Sequence, residues 1–163
     1  MASEAISSSI LLIGAVLGAA VLITAILPAI FSAGDTFGTV SSSAENKMKT
    51  DFRIVNSFAN GSAVKVWMKN VGANPVSIYD IRKSDVFFGK TTSINRYSYS
   101  STVTNPNDLT FTYSLADSNQ YWDPGETLEI AMYYLTIADT EPLSFTFTLP
   151  NSIRRSTSFS KTE

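Results

Sequence analysis

Residues 10–30 read ILLIGAVLGAAVLITAILPAI, and the reading of this run decides the architecture of the whole chain. As a helix it would span about 31 Å, close to the roughly 30 Å of bilayer hydrocarbon. No charged residue lies between Glu4 and Asp35. A cleavable signal peptide would have a shorter apolar core, about 7–15 residues, behind a basic start. Here the only charge ahead of the run is acidic, Glu4, so the run reads as a retained transmembrane-type helix. Within it Gly14 and Gly18 form a GxxxG, and Ala15 and Ala19 give a second small-xxx-small row. Small residues four apart let another helix backbone approach closely. The plainer reading is that Gly and Ala are common in membrane helices.

Outward from the run, Pro28 kinks the helix or marks its exit. Asp35 is placed to cap a new turn, after which Phe37, Val40, Ala44 and Met48 recur at spacings of three and four. The expectation is a long helix broken around residues 28–34, with an amphipathic outer half. Ser41-Ser42-Ser43 leaves a flexible linker as the alternative, because Ser is a middling helix former. Residues 1–48 are thus one unit and residues 49–163 another.

From Asp51 the period changes to two. AVKVWMKN puts Val64, Val66 and Met68 on one face and Lys65, Trp67 and Lys69 on the other. LTFTYSL (109–115) and SFTFTL (144–149) alternate apolar or aromatic residues with Ser or Thr, as half-buried antiparallel strands do. Further strands are expected at 76–80, 85–88, 97–103 and 127–134, separated by Asn60-Gly61, Gly72-Ala73-Asn74-Pro75, Asn105-Pro106-Asn107-Asp108 and Asp123-Pro124-Gly125-Glu126. Seven or eight short strands without a helical pattern between them predict an all-β immunoglobulin-like β-sandwich behind the N-terminal hydrophobic helix. Its Ser/Thr/Asn-rich, all-β character assigns that domain to the extracytoplasmic side.

Chemistry is conspicuous by what is missing. The chain has no histidine and no cysteine. The commonest general base, the commonest neutral metal ligand and every thiolate site are therefore excluded. No G-x-S-x-G elbow and no phosphate-binding glycine loop occur, so neither a catalytic residue nor a cofactor is expected. Asp117, Asn119, Asp123 and Glu126 come nearest to a metal cluster but fail the EF-hand spacing and read as a polar loop. Net charge is −2, from 12 basic and 14 acidic residues scattered singly, which does not fit nucleic-acid binding. Asn60-Gly61-Ser62 is the one N-x-[ST] sequon and marks Asn60 as a candidate glycosylation acceptor. Trp67 falls on the face opposite Val64, Val66 and Met68, and alternation sends one of Phe87 and Phe88 outward. These rings are the candidate protein contacts; the alternative is that they cover the edge of the core or touch the N-terminal helix.

At this point the chain resembles a known family, the archaeal FlaG proteins, also called ArlG, of the archaellum. The resemblance runs through SEAISSSILLIGAVLGAAVL near the start, KTDFRIVN (49–56), VKVWMKNVG (64–72), SDVFFG (84–89) and WDPGETLEI (122–130). It implies a membrane anchor, an immunoglobulin-like sandwich below the surface layer, and a partner, FlaF, with which such proteins tie the motor to that layer. It also implies kinship with archaellins and type IV pilin-like proteins, whose N-terminal helices bundle into filament cores. Prepilin-type processing needs a basic leader, and none precedes Met1-Ala2-Ser3, so that processing is not expected if Met1 is the start. The first expectation is a FlaG-like stator component with a FlaF-like partner. The second is a self-associating archaellin- or pilin-like filament subunit, and a surface adhesin comes third.

Overall fold

The computed structural model describes residues 2–103, 105–117, 119–135 and 142–161. They form two compact units, Met1–Glu45 and Asn46–Glu163. Helix α1 runs from Ala2 to Lys49 without interruption, through Pro28, Gly34 and the serine run. The expected break at 28–34 and the alternative linker at 41–43 are both absent. Proline's fixed φ is already helical, so Pro28 costs one backbone bond and not the helix. The serines and threonines do not unwind it either, since their hydroxyls bond back to the preceding turn. Thr24 donates to the Ala20 carbonyl at 2.9 Å, Thr39 to Asp35 at 2.9 Å and Ser42 to Thr39 at 3.0 Å.

Among the described residues ten strands follow: β1 (Phe52–Asn60), β2 (Ala63–Asn70), β3 (Val76–Ser77), β4 (Asp85–Lys90), β5 (Ser93–Tyr99), β6 (Thr110–Leu115), β7 (Tyr121–Trp122), β8 (Thr127–Tyr133), β9 (Leu143–Thr148) and β10 (Arg154–Phe159). One sheet has the order β1-β2-β8-β6-β5-β4-β9-β10, and β3 pairs with β7 beside it. Among the described residues, the only parallel step in the large sheet is the short pairing of Ser98 with Thr110 and Tyr99 with Phe111. β1 touches β10, and Phe52 of β1 packs on Phe147 of β9, so strands from both ends of the order share one core, consistent with the expected sandwich. Gly61, at φ +60, opens the two-residue turn between β1 and β2, the position where a type II′ hairpin turn calls for glycine.

The core is what the alternation predicts: Val64, Val66 and Met68 from β2, Leu128, Ile130 and Met132 from β8, and Phe145 and Phe147 from β9 are all buried. Aromatic rings join the layers. Phe52 meets Phe147 edge-on at 5.4 Å, and Phe88 meets Tyr134 at 5.4 Å. Such edge-to-face pairs add about 0.5–1.5 kcal/mol each beyond their buried area.

Residues 76–80 are only half a strand. After β3 the chain turns into helix α2 (Ile78–Lys83), capped by Ser77, whose hydroxyl accepts from the Tyr79 amide. Ile81 anchors it in the core, and Arg82 lies over the rings of Tyr99 (5.3 Å) and Tyr113 (5.8 Å). The strand expected at 97–103 lies earlier, at 93–99. Strand β10 was not expected; its sequence, RRSTSF, has one large apolar residue and is held by pairing to β9.

Candidate functional site

Two surfaces carry the candidate residues. On α1 every side chain described is exposed. The helix is long and apolar enough to cross a membrane by length and composition. At Gly14 and Gly18 an added Cβ would meet nothing within 4 Å, so the small-residue row with Ala15 and Ala19 is open to a neighbour. Ser7, Ser8 and Ser9 return their hydroxyls to Ser3, Glu4 and Ala5 at 2.8–3.0 Å, leaving the first turns with few donors facing outward.

The second surface is the outer face of the β unit. Trp67 is half-buried there, and its indole N–H donates to Glu129 Oε2 at 2.9 Å. Lys65 holds the other oxygen of the same carboxylate at 2.8 Å. Glu129 lies directly opposite Trp67 in the β2–β8 register, which is why one carboxylate serves both. Sequence reasoning placed Trp67 on this face but missed Glu129, because its partner role depends on a register that LEI does not disclose. Phe87 is half-buried between Arg96 and Thr146 of the neighbouring strands, and Arg96 itself donates to Asp85 at 2.7 Å. Phe88 is a correction. It is 0% exposed and packs in the core, because β4 turns Val86 and Phe88 inward together. It cannot be a surface contact.

Asn60 is exposed at the tip of the β1–β2 hairpin. In the loop before β8 the carboxylates of Asp117, Asp123 and Glu126 come within 4.8 Å of one another. The loop's own donors engage them. Asn119 gives its side-chain amide to Asp117 (2.9 Å) and Asp123 (2.7 Å), and Glu126 accepts from the amides of Ala116 (3.2 Å) and Asp123 (3.0 Å). Two ionisable groups are displaced among the described residues. Burial, and then Tyr134, pushes the Tyr97 hydroxyl up to about 12, and the hydrogen bond that Arg82 Nε donates to the Tyr113 hydroxyl oxygen at 3.2 Å raises the Arg82 guanidinium further. Neither stands in a cleft with a second reactive group. What the two surfaces can do is hold other surfaces.

Comparison with known proteins fits such an arrangement. The archaeal-type flagellin family matches residues 2–159. An uncharacterised protein of Archaeoglobus fulgidus is 34% identical over 98% of this chain and 99% of its own. Among solved structures, the archaellum periplasmic stator protein FlaG of Sulfolobus acidocaldarius is similar over 68% of this chain and 99% of that one, with a TM-score of 0.56 at 20% identity. The FlaF–FlaG stator complex of the same organism gives 0.55 at 20% identity, over 66% of this chain and 87% of that one. The archaeal flagellum of Methanospirillum hungatei is similar over 96% of this chain and 93% of that one, with a TM-score of 0.68 at 14% identity.

Proposed function

The chain belongs to the archaeal-type flagellin family, and from that premise we propose that it is a FlaG-like structural component of an archaellum, anchored in the cell membrane by α1 with its β unit on the extracytoplasmic side. The observation that carries this reading is where the apolar part of α1 ends. Residues 10–31 match one bilayer, and from Asp35 the same helix turns polar, with Thr36, Thr39, Glu45 and Lys47. The protein works by holding, not by catalysis. Its β unit engages a FlaF-like partner or the surface layer through the outer sheet face, where Trp67 is fixed by Glu129 and Phe87 lies nearby. Asn60, exposed on a hairpin, suits attachment of a sugar. A truncation of the Trp67 ring to Ala should weaken that contact by about 2 kcal/mol if the ring anchors it. A pull-down from envelope extract with folded Trp67→Ala, at unchanged recovery, would move the contact elsewhere.

A second reading is a filament subunit. It is favoured by the similarity to the archaeal flagellum, which runs through nearly the whole of both chains, helix included. Electron microscopy of the native full-length protein separates the two. A FlaG-like anchor should stay in the membrane fraction without polymer, whereas ordered filaments would decide for the second reading.

A further inference from the structure

The β unit begins at Asn46, inside α1, so the last helical turn is part of it. The final carbonyls of a helix have no intrahelical donor and must find one elsewhere. Here the Lys49 carbonyl accepts from the amides of Ala73 at 2.7 Å and Asn74 at 3.1 Å. Two residues on, the Asp51 carbonyl accepts from Val71 at 3.0 Å and Gly72 at 2.9 Å. Thr50, between them, returns its amide (3.1 Å) and its hydroxyl (2.8 Å) to the Asn46 carbonyl.

The loop that grips the chain is itself gripped. Asn70 is 1% exposed. Its side-chain oxygen accepts from the Gly72 amide at 3.0 Å, and its nitrogen donates to the carbonyls of Asn74 (3.0 Å) and Trp122 (2.9 Å). Its backbone exchanges bonds with Glu126 and Gly125 at the start of β8. From the other layer, Arg155 of β10 forms an ion pair with Asp51. Gly72 sits where nothing larger fits, since a Cβ there would stand 2.5 Å from both the Lys49 oxygen and the Asp51 nitrogen.

We infer that residues 46–52 and 70–74 form a backbone clamp, with Gly72 at its closest point, that fixes the turn at Asn46–Lys49 to the β2–β3 loop and, through Asp51 and Arg155, to β10. Hydrogen bonds arranged in two close pairs share a pull, whereas a flexible linker would extend under it. The inference holds for an anchor and for a filament subunit alike, because it concerns only how the β unit holds its own first residues.

The test uses full-length protein in detergent. The chain has no cysteine, so spin labels can be placed cleanly at Met48→Cys and Ser158→Cys. A clamp gives one narrow distance distribution, and the amides of residues 71–74 exchange as slowly as those of β8. A broad distribution, or exchange at loop rates, would overturn it in the wild type alone. Gly72→Ala should widen the distribution and speed exchange at 71–74 at least tenfold while the β8 core amides stay protected; an unchanged clamp would remove Gly72 from it. If Gly72→Ala does not fold, Arg155→Ala, which removes the ion pair to Asp51 and a local bond to the Arg154 carbonyl, should still widen the distribution. No widening there would remove β10 from the clamp. Gly38→Ala, in open space, should change nothing; an equal widening would assign the effect to the helix and overturn the clamp.

Discussion

Helix α1 and the β unit are both rich in apolar side chains and do opposite things with them. In α1, Ile10, Leu17, Ile23 and Ile30 each keep about 60% of their surface exposed or more. In the β unit Phe88, Phe111, Trp122 and Ile130 keep none. Burying one such side chain stabilises by roughly 1.5–3 kcal/mol. The sandwich has taken that stabilisation from itself, so it is self-sufficient. The helix has taken none, so its environment, lipid or other helices, must supply it. The two units differ accordingly: α1 leaves its apolar surface to its surroundings, and the β unit keeps its own inside.

The sharpest way to break this comparison is to separate the units. A chain beginning at Asn46 should be soluble and folded, while the full-length protein should need detergent or lipid. An unfolded circular dichroism spectrum from the short chain would show that the sandwich depends on the helix after all. Next in size are matched truncations. Phe88→Ala should destabilise the β unit by about 3–5 kcal/mol, since the ring is fully buried against Tyr97 and Tyr134. Leu17→Ala should leave the same unfolding transition unmoved. Equal effects would mean that α1 is packed where its surface looks bare.

A smaller effect comes from the one displaced group in the core. Tyr97 is buried, and its hydroxyl donates to the Tyr133 carbonyl at 3.3 Å. Its ordinary value is 10.0, and burial pushes it to about 12. Below pH 10 both the folded and unfolded chains keep the proton, so this group gives no pH dependence. Between 10 and 12 only the unfolded chain loses it, so stability falls by about 1.4 kcal/mol per unit. Denaturant melts across that range should show the fall, and Tyr97→Phe should remove its steepest part. A parallel fall in the variant would assign it to the other tyrosines.

The same division explains what could be read in advance. The apolar part of the helix was legible because no charge interrupts residues 5–34, but its unbroken course through Pro28 and the serine run to Lys49 was not; the sandwich was legible because LTFTYSL and SFTFTL alternate without error. Helix α2 was not, since six residues, IYDIRK, cannot separate period 3.6 from period 2; Ile81 in the core and the Ser77 cap decide it. Strand β10 escaped because its partner strand specifies it, not its own pattern. The outer face was half legible. Alternation put Trp67 outward, but Glu129 faces it only through the β2–β8 register, and the choice between Phe87 and Phe88 needed the direction of β4. The Gly72-Ala73-Asn74-Pro75 sequence announced a turn and gave no sign that its amides would hold the end of a helix.

The smallest expected effect tests what the bare helix is for. Gly14 and Gly18 lie one turn apart on the same face, with Ala15 and Ala19 on the adjoining row, and no described residue comes within 4 Å of a Cβ added at either glycine. Their smallness therefore serves no packing within α1's own unit among the described residues. Lipid does not require it either, because acyl chains adapt to any apolar side chain. If a second helix backbone lies in that row, Gly14→Leu or Gly18→Leu would push it away and cost on the order of 1 kcal/mol of association, about a five-fold shift in the monomer–oligomer balance. Neither change touches the β unit, so its unfolding midpoint should stay fixed and any loss can be read as association alone. The measurement is sedimentation equilibrium of the full-length protein in a density-matched detergent, with Val16→Leu on another face as the comparison. An unchanged balance at Gly14 and Gly18, or an equal loss at Val16, would reduce the row to ordinary membrane-helix composition and leave the helix as an anchor only.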